Sequence, residues 1–77
     1  MLDEKIHYSG LTYLGEKLIE FMKKNPSSET TQNFKTWIEG INDEELENSY
    51  LYSTQDTEFF IELFVDEIDI TKFKDYI

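Results

Sequence analysis

Apolar residues before the only proline, Pro26, recur at intervals of three and four positions. This spacing places them on one face of a helix. They are Leu11, Leu14, Leu18, Phe21 and Met22. Ser9 can cap the start of the helix, and Lys23 and Lys24 lie in its last turn, where the helix dipole favours cations. Since Asn25-Pro26 then stops it, the sequence predicts an amphipathic first helix.

Gly15 interrupts this helical pattern, at a cost of about 1 kcal/mol relative to Ala inside a helix. A residue without a side chain allows another backbone to come close to the helix. We therefore predict a close backbone contact at Gly15.

A second helix is predicted over residues 28–39, with Gly40 as its C-terminal stop. Its apolar stripe consists of Phe34, Trp37, Ile38 and Ile41. Asn42 and Glu45 then have the spacing of a capping box. A third helix should begin there and use Leu46 and Tyr50 as its apolar contacts.

Residues 49–68 fit either helices or a hairpin. In the helical interpretation, a turn at residues 54–56 precedes a helix that begins at Thr57. The apolar residues then face inward over a wide arc. They are Phe59, Phe60, Ile61, Leu63, Phe64, Val65 and Ile68. The alternative is a β-hairpin of strands 49–54 and 57–65, which the β-branched and aromatic content also suits.

We favour helices, because the capping box predicts that the residues just before this segment are helical and because carboxylates suit a helix better than a strand. Residues 69–77 predict a short last helix with Ile70, Phe73 and Ile77 inward. The predicted fold is mainly α, a single domain built as a small bundle of four to five short helices. The alternative is α+β, with two N-terminal helices, a β-hairpin at about 49–65 and a short C-terminal helix.

No Lys or Arg occurs from residue 36 to residue 71, and this stretch holds eleven of the seventeen acids. They are Glu39, Asp43, Glu44, Glu45, Glu47, Asp56, Glu58, Glu62, Asp66, Glu67 and Asp69. The excess behind the net charge of −10 therefore lies in the second half of the chain. Such a field repels nucleic acid and anionic membranes and speeds encounter with basic surfaces.

Five short pieces between residues 41 and 68 carry a resemblance to a known family. They are Asp43-Glu44, Leu46, Ser49-Tyr50, Phe60-Ile61-Glu62-Leu63 and Glu67-Ile68. Together they resemble the helical hairpin of the Sda-type sporulation histidine-kinase inhibitors. The resemblance covers about a third of the chain, requires a shortened turn and lacks the basic residues that usually follow. It implies helices here and docking on a helical signalling protein.

Residues suited to catalysis or metal binding are sparse. There is no Cys and only one His, His7, which we interpret as a surface residue rather than as a metal ligand. The glycines are scattered rather than grouped in a phosphate-binding loop. We expect a non-enzymatic protein with no cofactor and no metal. The missing cysteines and the acids after Met1, in place of a signal peptide, favour the cytoplasm.

We therefore expect an interaction protein that binds and blocks a basic, nucleic-acid-binding protein, without binding nucleic acid or membrane itself. Rows of carboxylates can imitate duplex DNA, which carries one negative charge per ~1.7 Å of axis. Small acidic helical proteins of this type resemble phage or mobile-element inhibitors such as anti-CRISPR and anti-restriction proteins. The expected contacts are Glu44, Glu45, Glu47, Tyr52, Glu58, Glu62, Asp66 and Asp69.

Within this set we expect the last four acids to form one exposed stripe, with Tyr52 exposed beside the acidic run. Two alternative functions stay open. A regulatory inhibitor would dock on a helical signalling protein through an apolar face, with Phe59, Phe60 or Phe64 partly exposed. A toxin-immunity protein would use the same acids against a basic enzyme. Both a monomer and a homodimer are compatible with the sequence.

Overall fold

The structure is a computed structural model that describes residue 6 and residues 8–53 and 56–77. In chain order its elements are a 3-10 turn (Tyr8–Gly10), α1 (Tyr13–Lys24), α2 (Glu29–Gly40), α3 (Asp43–Glu47), α4 (Tyr50–Ser53), α5 (Thr57–Phe64), a second 3-10 turn (Glu67–Asp69) and α6 (Ile70–Lys74). No strand occurs in these ranges. The predicted small, mainly α bundle is confirmed, and the alternative hairpin at about 49–65 is wrong. Thr54 and Gln55 of the predicted turn, like His7, lie outside the described residues.

Polar side chains cap the N-termini of four α-helices by accepting a hydrogen bond from a backbone N–H of the first turn. These caps are Thr12, Ser28, Asn42 and Asp56. The predicted capping box is confirmed, since the Glu45 N–H donates to Asn42 Oδ1 (2.8 Å) and Asn42 Nδ2 donates to the Glu45 carboxylate (2.7 Å). Ser9 does not cap α1, because it lies in the first 3-10 turn and Thr12 takes that role.

The core is built from residues of all six α-helices, and its largest fully buried side chains are aromatic. The Phe73 ring meets the Phe21 ring edge-on at 5.8 Å and stacks on the Phe60 ring at 6.4 Å. These contacts join α1, α5 and α6. In the C-terminal segment Phe73 is buried and Ile70 half-buried, as predicted, whereas Ile77 is exposed because α6 ends at Lys74.

The third predicted helix is divided at Asn48-Ser49 into α3 and α4. Both side chains turn back onto carbonyl groups of α3: Asn48 Nδ2 donates to one at 3.0 Å, and Ser49 Oγ donates to that of Leu46 at 2.6 Å. Such local hydrogen bonds compete with helix continuation. As a result Leu46 is buried as predicted, but Leu51 takes the next inward position and Tyr50 is exposed.

The start of α1 lies directly against the backbone of α4. The Leu51 carbonyl accepts hydrogen bonds from the Thr12 N–H (3.3 Å) and from Thr12 Oγ1 (3.1 Å). A Cβ added to Gly15 would lie 2.5 Å from the same oxygen, which is closer than real Cβ atoms come. The predicted close backbone contact at Gly15 is confirmed, and its partner is α4.

We expect Gly15→Ala to destabilise the protein by about 1–3 kcal/mol, because overpacking at the Leu51 carbonyl outweighs the gain of about 1 kcal/mol in helix propensity. Gly40→Ala is the matched control, since a Cβ at this other helical glycine meets nothing within 4 Å and Gly40 does not have a positive φ. It should be neutral or slightly stabilising. Urea unfolding of both variants tests this, and equal stability would contradict the close contact.

Candidate interaction surface

The acids of the second half divide by exposure. Nine of the eleven are exposed, Asp66 is half-buried and Asp69 is buried. Both ion pairs that join two described residues lie within α1, where Lys17 and Lys24 approach Glu20 at 3.4 and 3.7 Å. Four of the expected partner-binding acids are exposed, and their carboxylates have no hydrogen bond or ion pair to any described residue. They are Glu44, Glu47, Glu58 and Glu62.

Asp69 was expected on the exposed stripe, and this expectation is wrong. Its side-chain Oδ2 accepts hydrogen bonds from the Thr30 N–H (3.0 Å) and from Thr30 Oγ1 (2.7 Å). These donors compensate the cost of removing a carboxylate from water. Thr30 lies in the first turn of α2, where the helix dipole also favours a negative charge. Asp69 therefore serves the fold.

Asp66 also has a structural role. Its backbone N–H donates to Thr30 Oγ1 (2.9 Å), and its Oδ1 accepts from the Ile68 N–H (3.1 Å) at the start of the second 3-10 turn. Because α5 ends at Phe64, the predicted four-residue stripe is reduced to Glu58 and Glu62. Glu45 is exposed, but its carboxylate is bound by the capping residue of α3.

Tyr52 was expected to be exposed, and it is instead half-buried against the core. A Cβ at Gly10 would lie 3.3 Å from its ring, so the ring covers that backbone. The exposed aromatic residues of this region are Tyr50 and Phe59, with 44% and 41% of their surface accessible. Their rings meet edge to face at 4.9 Å. Because the predicted third helix is divided at residues 48–49, Tyr50 is exposed and Tyr52 is half-buried, the reverse of the prediction.

Three of the seven residues expected to face inward from residues 59–68 are exposed. They are Phe59, Leu63 and Ile68. Positions 59 and 63 are one helical turn apart and share a face, whereas 60, 61 and 64 share the face that packs on the core. The signal for this lies in the sequence: a helix of eight residues with apolar side chains on every side cannot bury them all.

An apolar groove of about 560 Å³ lies between α2, α4 and α5. Its apolar walls are Phe34, Trp37, Tyr50, Leu63 and Phe64. The Phe64 ring lies 5.4 Å from the Trp37 ring and 6.3 Å from the Phe34 ring, so the base of the groove is packed aromatic surface. Asn33, Asn48, Ser49 and Ser53 complete the lining. The spacing of apolar residues in the sequence does not predict this groove.

The helix ends show where the charge works against the fold. The last turns of α1 and α6 carry lysines, as the helix dipole favours. The last turns of α2, α3 and α5 carry no basic residue and have carboxylates instead. These are Glu39, Glu47 and Glu62. Each opposes the dipole by roughly 0.3–1 kcal/mol, so stability does not account for them.

The described residues contain no group of three or more His, Cys, Asp or Glu side chains placed to hold a metal ion. No helix in these ranges has the length and apolar character needed to cross a membrane.

No protein-family model, no curated protein and no solved structure matches this chain. The described residues between 41 and 69 also form three short helices and a 3-10 turn, rather than the two-helix hairpin that the Sda-type resemblance implies. The candidate surface therefore rests on its own geometry, which consists of exposed carboxylates on α3 and α5 and an apolar groove between α2, α4 and α5.

We expect Asp69→Ala to destabilise the protein by about 2–3 kcal/mol, because it leaves the buried N–H and hydroxyl of Thr30 without an acceptor. Asp69→Asn keeps one acceptor oxygen and should cost less. Asp75→Ala removes an exposed carboxylate six residues after Asp69 and should change stability by no more than about 0.5 kcal/mol. Thermal and urea unfolding measure all three, and equal effects of the two alanine variants would refute the structural role.

Proposed function

We propose that this chain is a non-enzymatic protein that binds a basic, nucleic-acid-binding protein through the carboxylates of α3 and α5 and blocks its nucleic-acid site. The observation that carries the proposal is the position of Glu47 and Glu62. Both are exposed, neither has a partner among the described residues, and both lie at the C-terminal end of a helix. A chain selected for stability alone would favour lysine there, as in α1 and α6.

The arrangement on α5 supports mimicry of a phosphate row. Glu58 and Glu62 are separated by four residues, a rise of about 6 Å along the helix. One strand of duplex DNA carries a phosphate per about 3.4 Å of axis, so the two carboxylates match a spacing of about two phosphates. Like charges at this spacing destabilise a helix. Glu58 suits the first turn of α5, so it is the acid near the other end, Glu62, that a cationic partner explains.

A complex formed in this way should be sensitive to salt. Exposed charges interact over about 10 Å at 0.1 M ionic strength but over only about 3 Å at 1 M. The acidic half therefore attracts a basic surface at low salt, and the attraction is lost at high salt. The electrostatic attraction mainly increases the association rate, because it acts on the two proteins before they touch.

We expect Glu47→Lys combined with Glu62→Lys to weaken partner binding by about tenfold or more, since repulsion replaces attraction at two sites. The same variant should be as stable as the wild type or more stable, by up to about 1 kcal/mol per site, because lysine suits these helix ends. Binding is measured by capture from a lysate of the source organism at low and high salt, with mass spectrometry, and stability by thermal unfolding.

Glu16→Lys combined with Asp75→Lys is the matched control, because it changes the net charge equally at exposed acids outside the acidic stretch of residues 36–71. It should retain the partner. A duplex oligonucleotide should also release the captured protein, since a DNA mimic and DNA compete for one site. Equal capture by the two variants, or a captured protein that DNA does not displace, would contradict the proposal.

A regulatory protein that docks through an apolar face is the second candidate, and the exposure of Phe59 favours it. Phe60 is fully buried and Phe64 half-buried, so of the three phenylalanines named for this function Phe59 is the one on the surface. Binding of this kind would tolerate high salt and would survive reversal of Glu47 and Glu62. A toxin-immunity role differs from the first proposal in its partner, which would be a basic toxic enzyme.

A further inference from the structure

We infer that the exposed rings of Tyr50 and Phe59, together with the Glu62 carboxylate, form a site for an arginine side chain of the partner protein. The guanidinium lies over a ring and pairs with the carboxylate. The inference rests on the proposed function, since it specifies which basic residue of the partner the acidic surface recognises. It adds an aromatic contact to the electrostatic attraction.

Two aromatic rings elsewhere in the structure each have a lysine over them, and that lysine also pairs with a carboxylate. Lys17 Nζ lies 5.4 Å from the centre of the Tyr13 ring and 3.4 Å from the Glu20 carboxylate. Lys24 Nζ lies 5.9 Å from the centre of the Tyr76 ring and 3.7 Å from the same carboxylate. At both places a ring, a cation and a carboxylate occur together.

The surface of α5 has the ring and the carboxylate but not the cation. Phe59 and Glu62 are three positions apart in one helix, which places their Cβ atoms about 5–6 Å from each other. Both side chains are exposed, and the Glu62 carboxylate has no ion pair with a described residue. No lysine of the described ranges lies over the Tyr50 or Phe59 ring. A cation supplied by a partner completes the arrangement.

The ring pair is suited to receive a cation. The Tyr50 and Phe59 rings are 44% and 41% exposed and meet edge to face, with centroids 4.9 Å apart. In such a pair one ring presents its edge, so its own faces are not covered by the other ring. A ring face attracts a cation that comes within about 6 Å of the ring centre. The contact also holds the two rings in place before a partner arrives, which lowers the entropy lost on binding.

A ring beside a carboxylate favours arginine over lysine. The guanidinium is planar, so it can stack on an aromatic face while its N–H groups donate to a carboxylate. It is also more weakly hydrated than an ammonium group, so less hydration is lost on contact with the ring. Arginine is a main contact of DNA-binding proteins to phosphate oxygens. The partner expected under the proposed function therefore carries this residue at its own nucleic-acid site.

The test compares two end-blocked peptides of equal charge, hexa-arginine and hexa-lysine, as ligands of the full chain. Isothermal titration calorimetry at low salt gives both affinities. A cation–π contact at an exposed site corresponds to a factor of about two to five in affinity. We expect hexa-arginine to bind more tightly than hexa-lysine by about this factor, and to shift amide resonances of α5 in a ¹⁵N-labelled sample.

Tyr50→Leu combined with Phe59→Leu removes both rings and keeps apolar side chains. It should abolish most of the advantage of hexa-arginine, whereas Tyr50→Phe combined with Phe59→Tyr keeps two rings and should retain it. Tyr13→Leu is a further control, since it removes an exposed ring that already has its own lysine. Thermal unfolding verifies that each variant is folded, and Phe59→Leu alone replaces the double variant where it is not. An advantage that survives loss of the rings would overturn the inference.

The remaining outcomes separate this inference from the proposed function. Equal affinities of the two peptides, both weakened by Glu47→Lys with Glu62→Lys, would overturn the arginine site and leave the acidic docking intact. An advantage of hexa-arginine that is unchanged in Glu62→Gln would also overturn the site. A ring-dependent advantage, together with a captured partner that DNA does not displace, would support the site and contradict the proposed function. Absence of binding by either peptide at low salt would overturn both.

Discussion

The buried hydroxyl of Thr30 is the contact on which the interaction surface depends. It donates to the Asp69 carboxylate and accepts the Asp66 N–H, and the Thr30 backbone N–H donates to Asp69 as well. These bonds fix the segment that follows α5 against the first turn of α2. Since α2 and α5 are two of the three walls of the groove, the distance between those walls is set by a polar contact at their common end.

Beyond this polar contact, aromatic rings hold α2 and α5 together along the groove. Phe64, the last residue of α5, contacts Phe34 and Trp37 of α2 on one side and Phe60 on the other. Phe60 in turn stacks on Phe73, which reaches Phe21 of α1. The base of the groove is thus one end of a series of ring contacts that runs through the core, so the candidate site is continuous with the packing of the fold.

Sequence patterns predicted those parts of the fold that depend mainly on neighbouring residues. The periodicity before Pro26 predicted α1, the spacing of Asn42 and Glu45 predicted the start of α3, and the cost of Gly15 in a helix indicated a close contact. Each of these features depends on neighbours within one or two turns, or on an isolated anomaly. The mainly α class of the chain follows from them.

The site could be predicted only in part. Its differences from the prediction arise from a contact between distant residues and from a local break in a helix, and the spacing of apolar residues shows neither. Asp69 looks like a surface acid until Thr30, 39 positions away, is placed beside it. Tyr50 and Tyr52 exchange roles because Asn48-Ser49 divide one helix into pieces of five and four residues. Such pieces are too short for the spacing of apolar residues to show which side faces the core.

The acidity of the second half has two physical origins. Many short helices give many N-termini, and carboxylates near an N-terminus support it: Asp56 caps α5, and Glu58 lies in its first turn. This accounts for much of the charge without any partner. It does not account for Glu47 and Glu62, which lie at the opposite ends of their helices.

In α5 a carboxylate that the fold does not explain, Glu62, is followed in sequence by an apolar side chain that it does not bury, Leu63. A domain of this size buries only about 60–65% of its unfolded surface, so exposure of Leu63 and Phe59 is a substantial loss of stabilisation. Charge alone would speed encounter with any basic protein, whereas an apolar anchor distinguishes one partner from another. Glu62 and Leu63 are both departures from maximal stability, and under the proposed function each is retained for recognition of a partner.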